Sequence, residues 1–161
     1  MTATIMISNM KHKILFVCHG NICRSPMAEF VMKHLVEKRG LQDQFEIASA
    51  ATSTEEIGNP VYPPARRKLA EHGIGCEGKR ARVMTRDDFS YYDYIVVMDH
   101  ENLQGLRWLF GKDKDRKVSM LMDHTSRPGD VADPWYTRNF EATWQEVLEG
   151  CQGLLDDLTK R

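Results

Sequence analysis

The sequence has no long apolar run. The stretch from Ile14 to Cys18 covers only five residues, whereas a membrane-spanning helix needs roughly 20. Met1 to Met10 puts no positive charge ahead of its apolar positions, unlike a secretory leader. An excess of one charge is missing too. Lys and Arg number 22 against 23 Asp and Glu, a formal net charge of −1. That balance excludes a domain-wide basic footprint for nucleic acid, but not one small positive pocket. Cysteine is scarce: Cys18, Cys23, Cys76 and Cys151 are the four present in 161 residues, and they read as reduced thiols, not as a disulfide frame. No repeat, low-complexity tract or interdomain linker interrupts the chain. The expectation is a soluble cytoplasmic protein that works without nucleic acid or membrane.

What the sequence does contain is an alternation. At 42% hydrophobic and 28% charged, 161 residues suffice for one domain with its own core. Lys13 to Cys18 is an unbroken apolar stretch, as in a strand buried on both faces. Ser25-Pro26 suits a helix start, with Ser as N-cap and Pro in the first turn; Met27, Val31 and Leu35 mark one face. Phe45 to Ala50, Tyr94 to Met98 and Val118 to Met122 read as further strands. Pro63-Pro64 opens a helix that ends before His72-Gly73, and Thr85-x-x-Asp88 fits a capping box. A helix is expected over Asn102 to Phe110. Asp123 to Tyr136 reads as an irregular loop of functional length. Phe140, Trp144, Val147, Cys151, Leu154 and Leu158 recur every three or four residues, the stripe of a long helix. The expected fold is α/β: a single domain with a four-stranded parallel twisted sheet, helices on both faces, and a phosphate-binding loop after the first strand. Residues 1–12 are expected to form a flexible N-terminal extension, and 13–161 the domain.

In such sheets ligands bind beyond the carboxyl ends of the strands, which directs attention to Cys18-His-Gly-Asn-Ile-Cys-Arg-Ser25. A loop wrapped over a helix start presents unpaired N–H donors and the positive end of the helix dipole. Gly20 and Asn21 suit the left-handed backbone such a cradle needs. Arg24 offers a planar fork for two phosphate oxygens. The same field favours the thiolate of Cys18, its nucleophilic form. Together these groups describe a phosphoryl-transfer site. A buried cysteine and a surface arginine would be the plain alternative. A nucleotide P-loop is excluded, because Gly-Lys-Ser/Thr occurs nowhere.

The run Phe16-Val-Cys-His-Gly-Asn-Ile-Cys-Arg-Ser-Pro-Met-Ala-Glu29 resembles the phosphate loop of the low-molecular-weight protein tyrosine phosphatases. Ser49 to Ser53 with Glu56 to Pro60 is similar to that family's second loop. Arg80 to Arg82, Asp88-Phe89, Asp93 to Ile95 and Met98-Asp99 match in order, and Asp133-Pro-Trp-Tyr136 resembles its acid loop. The resemblance runs from about Lys13 to the C-terminus. It implies that Cys18 is the nucleophile, Arg24 the phosphate clamp and Asp133 the general acid and then base. His19, Gly20, Asn21, Ile22, Cys23 and Ser25 would complete the phosphate-binding loop, with Asn21 holding it and Ser25 donating to the thiolate, or serving as a plain cap. Cys23 would be a redox partner for Cys18 or a small loop residue. The implied reaction hydrolyses protein phosphotyrosine with no cofactor and no metal, the enzyme acting as a monomer or weak homodimer.

Three positions depart from the family pattern. Lys79 replaces a His that commonly braces the phosphate loop, so that role is not carried over. Glu55 stands where an aromatic wall residue is common, and His19 where Leu is common. Glu55, Trp135 and Tyr136 are the expected substrate wall, although the two aromatics could instead cover the loop's underside. The Arg66 to Lys68 and Lys79 to Arg82 runs read as solvated faces, with Arg80 and Arg82 candidates for the pocket rim. His72 and Cys76 have a ligand-like spacing, but Gly73 and Gly75 break any helix that would align them. Three rival functions share the scaffold. An arsenate reductase needs relay cysteines, and only Cys76 lies mid-chain. A phosphoarginine phosphatase tends to carry Thr where Ile22 stands. A pure phosphate-binding module needs neither Cys18 nor Asp133.

Overall fold

The computed structural model describes residues 11–160, so most of the expected N-terminal extension lies outside the described residues. Four parallel strands form one sheet: β1 (His12–Cys18), β2 (Phe45–Ala51), β3 (Tyr94–Val97) and β4 (Val118–Met120), in the order β2-β1-β3-β4. The first strand begins one residue earlier than expected, with His12 paired to Phe45. Cys18 is aligned with Ala51, and Val17 with Val97. These carboxyl ends therefore share one edge of the sheet, beyond which the functional loops lie.

Alternation along β1 divides the core in two. Ile14 and Phe16 face α1 (Arg24–Lys38) and α6 (Phe140–Thr159), joined by Met27, Val31, Trp144, Val147, Cys151 and Leu154. Leu15 and Val17 face the other side with Ile95, Val97, Leu106 and Met120. That second layer includes α3 (Arg86–Tyr91) and α4 (His100–Phe110), while α2 (Pro63–Glu71) packs beside α1 and α6. The four consecutive side chains Ile14 to Val17 of β1 are fully buried, which explains why that run shows no polar alternation.

Several boundaries move for identifiable reasons. Thr85 and Asp88 close the expected capping box of α3. Helix α4 starts two residues before Asn102, because Asp99 caps it and the Asn102 side chain answers in a second capping box. The fourth strand stops at Met120, and Leu121–His124 curls into a 3-10 turn. Helix α6 lies tight against this turn: a Cβ on Gly150 or Gly153 would collide with Leu121 or with the His124 carbonyl. That close approach fixes where the chain re-emerges toward Asp133. The loop expected to be irregular contains one helical turn, α5 (Pro134–Thr137), with Asp133 as its cap. No helix among the described residues is long and apolar enough to cross a membrane.

Candidate active site

Five residues, 19–23, connect the end of β1 to the start of α1. Helix α1 begins at Arg24 rather than after Ser25, and its N-cap is Cys23, whose side chain makes no capping bond. Ser25 is therefore not the cap, since its hydroxyl is engaged inside the loop. Asn21 Nδ2 donates to Ser25 Oγ at 2.7 Å, and Ser25 Oγ lies 3.0 Å from Cys18 Sγ. A thiolate can only accept, so when Cys18 is ionised the Ser25 hydroxyl donates to it. The Asn21 N–H also points at Cys18 Sγ, at 3.3 Å.

Asn21 adopts the left-handed backbone expected of it, with φ of 61°, but Gly20 does not share that region. Gly20 lies close against the Glu56 side chain instead. A Cβ there would lie 3.3 Å from Glu56 Cγ, tighter than ordinary contact.

Besides Ser25, the Asn21 side chain ties the loop to two other segments. Its Oδ1 accepts from the Arg82 backbone N–H at 3.2 Å, and its Nδ2 also reaches Ser49 Oγ at 3.0 Å. Ser49 Oγ donates to buried Glu29 Oε1 at 2.6 Å. Lys79 closes the chain, donating to the Ser49 carbonyl at 2.8 Å and lying 3.2 Å from Glu29 Oε1. Lys79 thus braces the loop at second hand. Its side chain is only 11% exposed, and burial pulls its ammonium below the ordinary lysine range despite Glu29.

Arg24 occupies the floor, with its side chain 3% exposed. Nη1 donates to Asp99 Oδ2 and to the Val131 carbonyl, each at 2.8 Å, and Nη2 reaches Asp133 Oδ2 at 3.4 Å. Burial opposes its charge, but Cys18, Asp133 and Asp99 outweigh that and raise its affinity for the proton. Burial, with Cys18 and Asp133 adding, pushes the Cys23 thiol up to about 12. All four cysteines carry free thiols.

A cavity of about 240 Å³ gathers the expected residues. Its lining comprises Cys18, His19, Gly20, Asn21, Ile22, Cys23 and Arg24 from the loop, Glu55 and Glu56 from the segment after β2, and Asp133, Trp135 and Tyr136 from the far side. The aromatics line the opening rather than only the underside of their loop, although the Trp135 ring also packs on Tyr62 at 5.1 Å. Glu55 meets His19 across the mouth at 2.7 Å. Neither Arg80 nor Arg82 lines this cavity: Arg80 donates to the Gly58 carbonyl, and Arg82 forks onto Asp88 at 2.8 and 3.2 Å. His72 stacks on Trp144 at 3.8 Å instead of pairing with Cys76, and the described residues contain no metal-ligand cluster.

Sequence reasoning assigned no role to Asp99, Ser49 or Glu29. Each lies inside a matched segment, and a carboxylate within an apolar helix face, as at Glu29, was the available signal. A loop that can surround a phosphate, a thiol at its base, a guanidinium below and a carboxyl at the mouth can together bind and transfer a phosphoryl group.

The chain is similar to known proteins over most of its length. A family model described as "Low molecular weight phosphotyrosine protein phosphatase" matches residues 13–161. "Low molecular weight protein-tyrosine-phosphatase YfkJ" of Bacillus subtilis (strain 168) is 40% identical over 149 residues, 91% of this chain and 96% of that protein. "Low molecular weight phosphotyrosine protein phosphatase" of Rattus norvegicus is 38% identical over 148 residues, 89% and 93% of the two chains. The crystal structure of YfkJ superposes with a TM-score of 0.90 at 38% identity, covering 93% of this chain and 96% of that one.

Proposed function

The chain belongs to the low molecular weight phosphotyrosine protein phosphatase family, and on that premise we propose that it hydrolyses protein phosphotyrosine in two steps through Cys18. In the first step the Cys18 thiolate attacks phosphorus. The S–P bond forms as the bond from phosphorus to the tyrosyl oxygen breaks, and Asp133 gives that oxygen its proton. In the second step a water attacks phosphorus, Asp133 takes the water's proton, and the S–P bond breaks to release phosphate and restore the thiolate. Arg24 and the N–H groups of the loop hold the phosphoryl oxygens throughout. Trp135 and Tyr136 offer flat apolar surface for the phenyl ring.

One observation carries this reading: buried Arg24 joins the base of the loop to Asp133, so nucleophile, clamp and acid face a single cavity. The reading extends to a cytoplasmic enzyme, where thiols stay reduced, that works on phosphotyrosine proteins as a monomer or weak homodimer.

The test is hydrolysis of para-nitrophenyl phosphate and a phosphotyrosine peptide between about pH 4.5 and 8, a range set by a protonated carboxyl beside a thiolate, with chelator present. Turnover should be abolished in Cys18→Ser and strongly reduced in Asp133→Asn. A wild-type protein that binds phosphate without turning over either substrate would reduce the site to a binding module. Phosphoarginine supplied alongside separates the tyrosine reading from its arginine rival.

A further inference from the structure

Beyond the phosphate cradle, the cavity's lining is acidic. Glu55 and Glu56 form one wall and Asp133 stands opposite, while the one guanidinium among the lining residues, Arg24, is buried on the floor. The one other lining side chain that can carry positive charge is the His19 imidazole, which is hydrogen-bonded to Glu55 Oε2.

Both wall carboxylates are held in place. His19 fixes Glu55 at 2.7 Å, and His19 is itself tied to the same segment, since Ser53 N and Oγ donate to its carbonyl at 3.1 and 3.0 Å. Glu56 Oε1 accepts from Asn59 Nδ2 at 2.8 Å, and its Cγ packs over Gly20. Each retains an oxygen facing no donor: among the described residues, Glu55 Oε1 and Glu56 Oε2 accept no hydrogen bond. A phosphotyrosine seated on Arg24 leaves its peptide at the mouth, with the neighbouring Cα about 3.8 Å away along the chain. A neighbour's side chain then lies beside this wall.

Resting on the phosphatase reading, we infer that Glu55 and Glu56 make this enzyme select phosphotyrosines flanked by a basic side chain. A Lys or Arg beside the phosphotyrosine finds two positioned carboxylates with free oxygens, and a Glu or Asp finds like charge. His19 is a positioning residue that keeps Glu55 turned toward the mouth. The dianionic phosphate is common to all substrates, so the flanking residue alone sets the difference. Exposed ion pairs are weak individually, and two of them support a preference of about three- to tenfold in kcat/KM.

The experiment uses four peptides that place Lys or Glu before or after one phosphotyrosine. They are turned over by the wild type, by Glu55→Gln/Glu56→Gln and by His19→Ala, at about 0.02 and 0.5 M salt, where charge screening differs widely. Each rate is divided by the same protein's rate on para-nitrophenyl phosphate. The expected result is that Lys outruns Glu on at least one side by about three- to tenfold, that high salt compresses the ratio, and that the double variant removes it. Peptides hydrolysed within twofold of one another at low salt, or a preference unchanged in the double variant, would overturn the inference while leaving the phosphatase reading intact. Failure of every peptide and of para-nitrophenyl phosphate would remove both.

Discussion

The two sides of the cavity are built on different principles. The loop after β1 is buried and cross-linked: Asn21, Ser25, Ser49, Glu29 and Lys79 form one continuous chain of hydrogen bonds beneath the thiol. The far side is a single helical turn at the surface, with Trp135 at 43% and Tyr136 at 82% exposure. It is anchored through the backbone just before Asp133, by Val131 N to the Met98 carbonyl at 2.8 Å and by Ala132 N to Glu146 at 2.9 Å. Arg24 is the one side chain that bonds to this side from the loop. The contrast separates two tasks. Stabilising a transferring phosphoryl group demands donors fixed in advance, and such donors need a buried, fully satisfied surround. Receiving varied protein substrates demands an open wall whose residues can change at little cost in stability.

Four substitutions sharpen or break this contrast. The largest effect belongs to Arg24→Lys, which keeps the charge but loses the fork and the contacts to Asp99 and Val131; kcat should fall about 10²–10³-fold. Asp133→Asn should lower kcat on phosphotyrosine peptide by about 10²-fold, the low end of what a positioned general acid supplies. Its loss on para-nitrophenyl phosphate should be smaller, because that leaving group needs less help from a proton. Equal losses on both substrates would deny Asp133 the role of acid. Lys79→Met strips one cation from buried Glu29 and should cost about 1–3 kcal/mol of stability, read as a lower urea midpoint at unchanged slope. Its kcat loss should be smaller than that of Arg24→Lys, since it acts through Ser49 and Asn21. Tyr136→Ala should alter stability by less than about 0.5 kcal/mol. It should raise KM for the peptide by roughly threefold, the scale of one aromatic contact. A Tyr136→Ala protein that unfolds readily, or a Lys79→Met protein as stable as wild type, would erase the distinction between the two sides.

The fold was legible wherever burial on both faces left a continuous apolar run, as in β1 and β3, or where a stripe of large residues marked a helix, as from Phe140 to Leu158. Boundaries shifted where side chains compete for the backbone: Asp99 claimed two extra residues for α4, and Ser25 gave up its expected capping role to the thiol and Asn21. Of the site, Cys18 and Arg24 were readable because a strand end and a helix start are local signals, and Asp133 through the resemblance of Asp133-Pro-Trp-Tyr136 to the family's acid loop. Glu29, Ser49 and Lys79 were not, because their meaning depends on contacts 20 and 30 residues apart in the chain. Lys79 shows this most clearly. Read along the chain, it belongs to a basic surface run at a position where the family commonly has a bracing His, and its contacts to Ser49 and Glu29 show how a lysine can brace there instead. Gly20 teaches the converse, since the expected glycine serves packing against Glu56 and not a left-handed turn.

The central claim is that Cys18 carries the phosphoryl group between the two steps. Cys23, also in the cavity, has its thiol pushed up to about 12 by burial and its anionic neighbours, which disfavours its thiolate. The direct measurement is a rapid quench during turnover of a phosphotyrosine peptide, followed by mass spectrometry of the peptide that holds both cysteines. A phosphate adduct should form on Cys18 before steady state and be absent in Cys18→Ser. An adduct on Cys23, or full turnover with no phosphorylated cysteine at any time, would contradict the claim.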